Sequence, residues 1–170
     1  TVLSNGFMSV RCKIGDIMIK QIQLAIQAEN ENSLLHHNWG YALYGMLVEQ
    51  LSEACAEWLH ESNFNPISQH LTVFERGKRG IWTINLLGEQ AITEILPVLL
   101  AKKDWHSDFH QTNLHVTNLV ESRTMTETQF CQEFLTSADV SRRIRVAFKT
   151  PCSFKSQEQY QLFPNTEWLI

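Results

Sequence analysis

Among side chains able to exchange a proton near neutral pH, His60 has the most informative setting. It closes a run, about Asn38 to His60, in which Trp39, Leu43, Leu47, Leu51, Ala54 and Trp58 recur at three- and four-residue steps. That is the buried stripe of an amphipathic helix. Glu49, Glu53, Glu57 and Glu61 form a second stripe at i, i+4 spacing, whose ordinary meaning is a solvated face. At about 100° per residue, His60 falls on the glutamate face near Glu53 and Glu57. A helix C-terminus flanked by carboxylates suits a proton donor. A favourable helix-end charge without any chemistry explains the same placement.

Other groups invite chemical readings. His37, Tyr41, Tyr44 and Val48 share a stripe if the helix starts early, which gives either an acid/base pair or aromatic packing. His106, His110 and His115, with Asp104 and Asp108, imitate a metal set. The segment nevertheless runs from a helix end into a strand, and it has neither HExxH nor a nearby thiol, so no metal is expected. Between Arg142 and Lys155 lie five cations (Arg142, Arg143, Arg145, Lys149, Lys155) and no acid. Such a local excess either binds phosphates or protects a strand edge. Phosphate-loop, dinucleotide and nucleophile-elbow patterns do not occur.

The elements that must position these groups follow from periodicity. Residues 17–28 alternate, with Ile22, Leu24, Ile26 and Ala28 on one face, which predicts a half-buried strand. After the helix come two strands, Ile67–Glu75 and Arg79–Leu87, joined at Arg76-Gly77-Lys78 as a hairpin. In the second of them Trp82, Ile84 and Leu86 point inward. Ile92, Ile95, Leu96 and Leu99 predict a second helix, kinked or shortened at Pro97. Leu114, Val116 and Val120 predict a strand over 113–121. The order β-α-β-β-α-β is that of a ferredoxin-like (RRM-like) α+β domain, with two helices on one face of a four-stranded sheet. Thr126–Leu135 reads as a connecting helix with Phe130, Phe134 and Leu135 on its apolar side. Ile144, Val146 and Phe148 alternate with Arg143, Arg145 and Lys149, a strand with a basic face with which Tyr160–Phe163 is expected to pair. The organisation expected is a leader over 1–16, a ferredoxin-like domain over 17–125, a connector over 126–140 and the start of a second, incomplete ferredoxin-like domain over 141–170.

Composition narrows the class. The chain has 170 residues, 44% hydrophobic and 19% charged, which argues against wholesale disorder and coiled coil. No apolar run approaches the roughly 20 residues of a membrane helix, and Thr1–Met8 does not form a signal peptide. Cys12, Cys55, Cys131 and Cys152 are scattered without a CxxC, the pattern of ordinary cytosolic thiols. With a net charge of −4, nucleic-acid binding would rest on a local patch.

A set of short motifs, taken in order, resembles one family. They are Tyr41-Ala-Leu-Tyr44-Gly45-Met46-Leu47, Trp58-Leu59-His60, Asn65-Pro66-Ile67-Ser68 and Gly80-Ile81-Trp82-Thr83-Ile84. Arg145-Val-Ala-Phe148-Lys-Thr150-Pro151-Cys-Ser153-Phe154-Lys155 and Tyr160-Gln-Leu-Phe163-Pro164 follow. The chain resembles the CRISPR-associated repeat-RNA processing endoribonucleases of the RAMP superfamily, particularly those of type III systems.

The resemblance implies tandem ferredoxin-like domains and cofactor-free, metal-independent cleavage of CRISPR precursor RNA in antiviral defence. A ribose 2′-OH attacks the adjacent phosphate and leaves a 2′,3′-cyclic phosphate. By motif match His60 is the catalytic histidine and Tyr44 a weaker second proton-transfer group, with His37 behind it. Tyr44 lies about 160° from His60 on one continuous helix, so their partnership requires a break between them. No lysine follows His60 before Pro66, which leaves the charge-stabilising role to Lys78, Arg79 or a basic residue of the second domain. RNA contact falls to Arg143, Arg145, Lys149 and Lys155. The implied partners are CRISPR repeat RNA, then other effector subunits or a second copy of the chain, with neither DNA nor membrane, in the cytoplasm. The family's glycine-rich C-terminal loop has no counterpart after Gly88, so either these residues are part of a longer protein or the loop is absent from it, and in both cases cleavage by these 170 residues alone is not expected. A non-catalytic RAMP subunit and a plain ferredoxin-like interaction module are the rival readings.

Overall fold

Alternation dictates the first strand. In the computed structural model, which describes residues 17–29, 34–62, 64–108, 110–136, 154–156 and 159–161, β1 runs Met18–Ala28 and buries Ile22, Leu24 and Ile26. The expected long helix is two helices. A 3-10 turn at His37–Trp39 leads into α1, Gly40–Val48, and α2 follows at Glu53–Glu61. The last turn of α1 tightens, as Gln50 N donates to Leu47 O (3.0 Å) and Leu51 N to Val48 O (3.1 Å). Ser52 then takes an extended conformation, and its Oγ accepts from Cys55 N at 3.2 Å. A serine cap satisfies a donor that a new helix would leave orphaned, and Glu53 in the first turn adds a favourable dipole interaction. The break rotates the buried stripe by one residue, so Cys55 and Leu59 enter the core where Ala54 and Trp58 were expected.

The hairpin forms between β2, Ile67–Phe74, and β3, Arg79–Leu87, with Trp82, Ile84 and Leu86 fully buried. Its connection is a 3-10 turn, Glu75–Gly77, in which all three residues have positive φ. Helix α3, Glu89–Ala101, continues through the exposed Pro97 rather than ending there. Two further strands follow, β4 at Asp104–Ser107 and β5 at Thr112–Thr126. The sheet therefore has five strands, all antiparallel, in the order β2-β3-β1-β5-β4. Without β4 the order is that of the expected ferredoxin-like sheet; β4 adds a short edge strand. Strand β5 is longer than expected, and two register shifts against β1 occur along it. The first shift takes Val120 off the inward face, whereas Leu119, opposite the buried Leu24, is exposed because it lies beyond the stretch of β5 that pairs with β4. A bulge adds one residue and reverses the inward face beyond it.

One hydrophobic core joins the inner face of the sheet to α1, α2 and α3. Trp82 and Trp105 meet edge-on at 5.4 Å within it. The indole Nε1 of Trp82 donates to Gln69 Oε1 (2.5 Å), and Gln69 Nε2 donates to Gly40 O (2.6 Å). This relay fixes the start of α1 to the sheet.

Thr126 caps α4, Glu127–Cys131, through a complete capping box with Gln129, and a π turn at Gln132–Thr136 continues it. The chain divides into two compact units, residues 1–138 and 139–170. In the second, β6, Phe154–Ser156, pairs with β7, Gln159–Gln161, so Tyr160 lies opposite Lys155. The expected basic strand at 144–149 lies outside the described residues.

Candidate functional site

The sequence-predicted proton-transfer residues occupy different elements. His60 is exposed in the last turn of α2, and Ser62 closes that helix by donating from Oγ to Trp58 O at 2.7 Å. Among the described residues no ion pair joins His60 to Glu53 or Glu57. Tyr44 sits on α1, half-buried against the core. Because the chain breaks between α1 and α2, the angular count that separated Tyr44 from His60 does not apply. His37 is exposed at the start of the 3-10 turn, and its Nδ1 hydrogen-bonds Leu71 O at 3.2 Å. That contact fastens the turn to β2. Tyr41, expected on the stripe of His37 and Tyr44, is 90% exposed.

The cations divide likewise. Lys78 is exposed, and Arg79 pairs with Glu75 at 3.3 Å on the surface. Arg143, Arg145 and Lys149 lie outside the described residues. Lys155 lies on β6, opposite Tyr160.

Of the three clustered histidines, His110 parts from the other two. On the exposed face of the β4–β5 hairpin, His115 Nδ1 meets Asp104 Oδ1 at 2.6 Å. His106 meets Asn113 through Nδ1 (2.7 Å) and Asp108 through Nε2 (3.2 Å). His110 instead stacks on Trp39, where burial, with His36 nearby, lowers its pKa. Among the described residues no group of three or more His, Cys, Asp or Glu is arranged to hold a metal ion. Burial, with Glu94 next, raises the Cys55 thiol, which holds it protonated and unreactive.

One concave feature is not legible in the sequence. On the sheet face opposite the core, Ile19, Leu87 and Met125 line a cavity of about 420 Å³ whose rim carries Phe130 and Phe134. In the sequence pattern Phe130 and Phe134 mark only the apolar side of a helix. Arg123, also lining it, had no sequence signal because it stands alone in a polar stretch.

The described elements thus define a ferredoxin-like α+β domain with an exposed helix-end histidine and an open, partly aromatic sheet face. The chain is 26% identical over 124 residues, 72% of its length, to the CRISPR-associated endoribonuclease Cas6 of Streptococcus thermophilus. The match covers 48% of that protein, so the chain spans about half the length of the relative it matches. No protein-family model matches the chain. Among the described residues no helix is long and apolar enough to cross a membrane.

Proposed function

We propose that this chain belongs to a CRISPR repeat-RNA processing endoribonuclease of the RAMP type, with His60 as its proton-transfer residue. The similarity over 124 residues to a protein named for that activity carries the reading. The exposed position of His60 at a helix end supports it, because an RNA backbone can reach that ring. In the proposed reaction the 2′-OH loses its proton to a base and its oxygen bonds to the neighbouring phosphorus. The bond from phosphorus to the 5′-oxygen breaks, and His60 delivers a proton to that leaving oxygen. The products are a 2′,3′-cyclic phosphate and a 5′-OH, without a metal. Tyr44 and His37 are the candidate partners, although the contact of His37 with Leu71 O gives it a structural task already. Lys78, Arg79 or a cation of the second unit would stabilise charge on the phosphorane.

Residues 141–170 are, on this reading, the start of a second ferredoxin-like domain; their separation as a compact unit with a hairpin supports that assignment. Arg143, Arg145, Lys149 and Lys155 would hold phosphates there. The protein would act in the cytoplasm on repeat RNA, alone, as a pair of copies or with other effector subunits.

The test is cleavage of a labelled repeat RNA in EDTA, with and without a 2′-deoxy nucleotide at the cut site. Cleavage should survive EDTA, vanish with the 2′-deoxy substrate and fall about a hundredfold or more in His60→Ala. Binding without cleavage, and without any effect of His60→Ala, would favour a non-catalytic RNA-binding subunit instead.

A further inference from the structure

The outer face of the sheet carries a polar row that packing alone does not require. Arg123, Gln21, Asn85 and Ser68 are successive cross-strand partners on β5, β1, β3 and β2. Gln21 Nε2 donates to Asn85 Oδ1 at 2.8 Å, and Asn85 Nδ2 donates to Ser68 Oγ at 3.0 Å. The row is therefore pre-organised. Among the described residues the Gln21 side-chain Oε1 at one end and the Ser68 hydroxyl hydrogen at the other have no partner.

Above this floor stand two phenyl rings, Phe130 and Phe134, with centroids 5.0 Å apart and planes tilted by 45°. They are 37% and 43% exposed, so neither is fully used by the fold. Phe134 belongs to the π turn, a form of helix that frequently marks functional sites. The turn is tied down because Arg123 Nη2 donates to both carboxylate oxygens of Glu133, at 2.8 and 2.7 Å. The cavity between rings and floor, about 420 Å³, lies within the roughly 300–1,000 Å³ of small-ligand sites.

We infer that this cavity receives one unpaired nucleobase of the bound RNA, which stacks on Phe134 while the Gln21 amide and Ser68 hydroxyl read its edge. The inference rests on the proposed RNA-processing function. An apolar ligand would leave the two open ends of the row, Gln21 Oε1 and the Ser68 hydroxyl, unmatched, and a free phosphate would find Arg123 committed to Glu133. A base has both the π-face that aromatic rings accept and the donors and acceptors that an amide row can match. The site would thus select an RNA position apart from the scissile bond.

Repeat RNA carrying a single abasic nucleotide, moved one position at a time through its unpaired segments, tests this by its binding to the full chain at fixed salt. One position should weaken binding about tenfold. Phe134→Ala should weaken intact RNA similarly and erase the sensitivity at that position, whereas Phe134→Trp should keep it. Gln21→Met should alter the ranking of the four bases there while binding the abasic RNA like the unaltered chain. Binding with a flat abasic scan, or a scan unchanged by Phe134→Ala, would overturn the inference and leave the RNA-processing function standing. Absence of RNA binding at low salt would overturn both.

Discussion

The indole of Trp39 and the imidazole of His110 lie face to face, with centroids 3.8 Å apart and planes 1° from parallel. The contact joins the turn before α1 to the loop between β4 and β5, segments about 70 residues apart in sequence. It also removes His110 from any role beside His106 and His115. Trp39 is buried, and its Nε1 has no hydrogen-bond partner among the described residues. The stack therefore holds the indole by its face rather than by its polar edge.

This contact gives the fold an acid-side dependence. Burial is the main cause lowering the His110 pKa, followed by His36. A lowered pKa means that the folded state favours neutral imidazole more than the unfolded chain does. The associated stability is present above the unfolded value of about 6.5 and is lost as pH falls through the folded value. Thermal unfolding between pH 7.5 and 5 should show His110→Phe losing less stability on acidification than the unaltered chain, with the stack retained.

Ser52 is expected to matter to both fold and site, because its hydroxyl starts the helix that ends in His60. Ser52→Ala removes the bond to Cys55 N and should cost about 1 kcal/mol in denaturant unfolding. Ser52→Asp should restore most of that loss. If RNA cleavage depends on His60, it should follow the same order, Asp close to Ser and Ala below both.

Gly77 is a position where no side chain fits. Its φ is +96°, and a Cβ would lie 2.9 Å from both Leu34 Cβ and Leu35 O. Its carbonyl accepts from Leu35 N at 2.7 Å, so Leu35 enters the core beside the hairpin turn. Gly77→Ala combines backbone strain of about 1–3 kcal/mol with displacement of that segment. Urea unfolding should report a loss in this range or above, and a loss below about 0.5 kcal/mol would show that the turn relaxes freely.

The class of fold was legible because its signals are local and repeated. Ile22, Leu24 and Ile26 mark β1 by alternation; Trp82, Ile84 and Leu86 do the same for β3. Their order along the chain leaves few topologies. The division of the expected long helix was hidden, since Leu51, Ala54 and Trp58 continue the stripe of α1 and only Ser52-Glu53 marks a restart. Strand β4 has no sequence signature, because its four residues are too few to display a period and its Asp104 and His106 have the residue types of a ligand set.

The amino-acid sequence by itself determined the α+β character, the periodic faces that build the core and the place of His60 at a helix end. All of these depend on residues a few positions apart, whose spacing the backbone converts directly into a face. Only the tertiary structure decided which histidines meet and that Arg123, Gln21, Asn85 and Ser68 form one row beneath Phe130 and Phe134. Those relationships are set by strand register and by the packing of α4 on the sheet, and no local spacing encodes them.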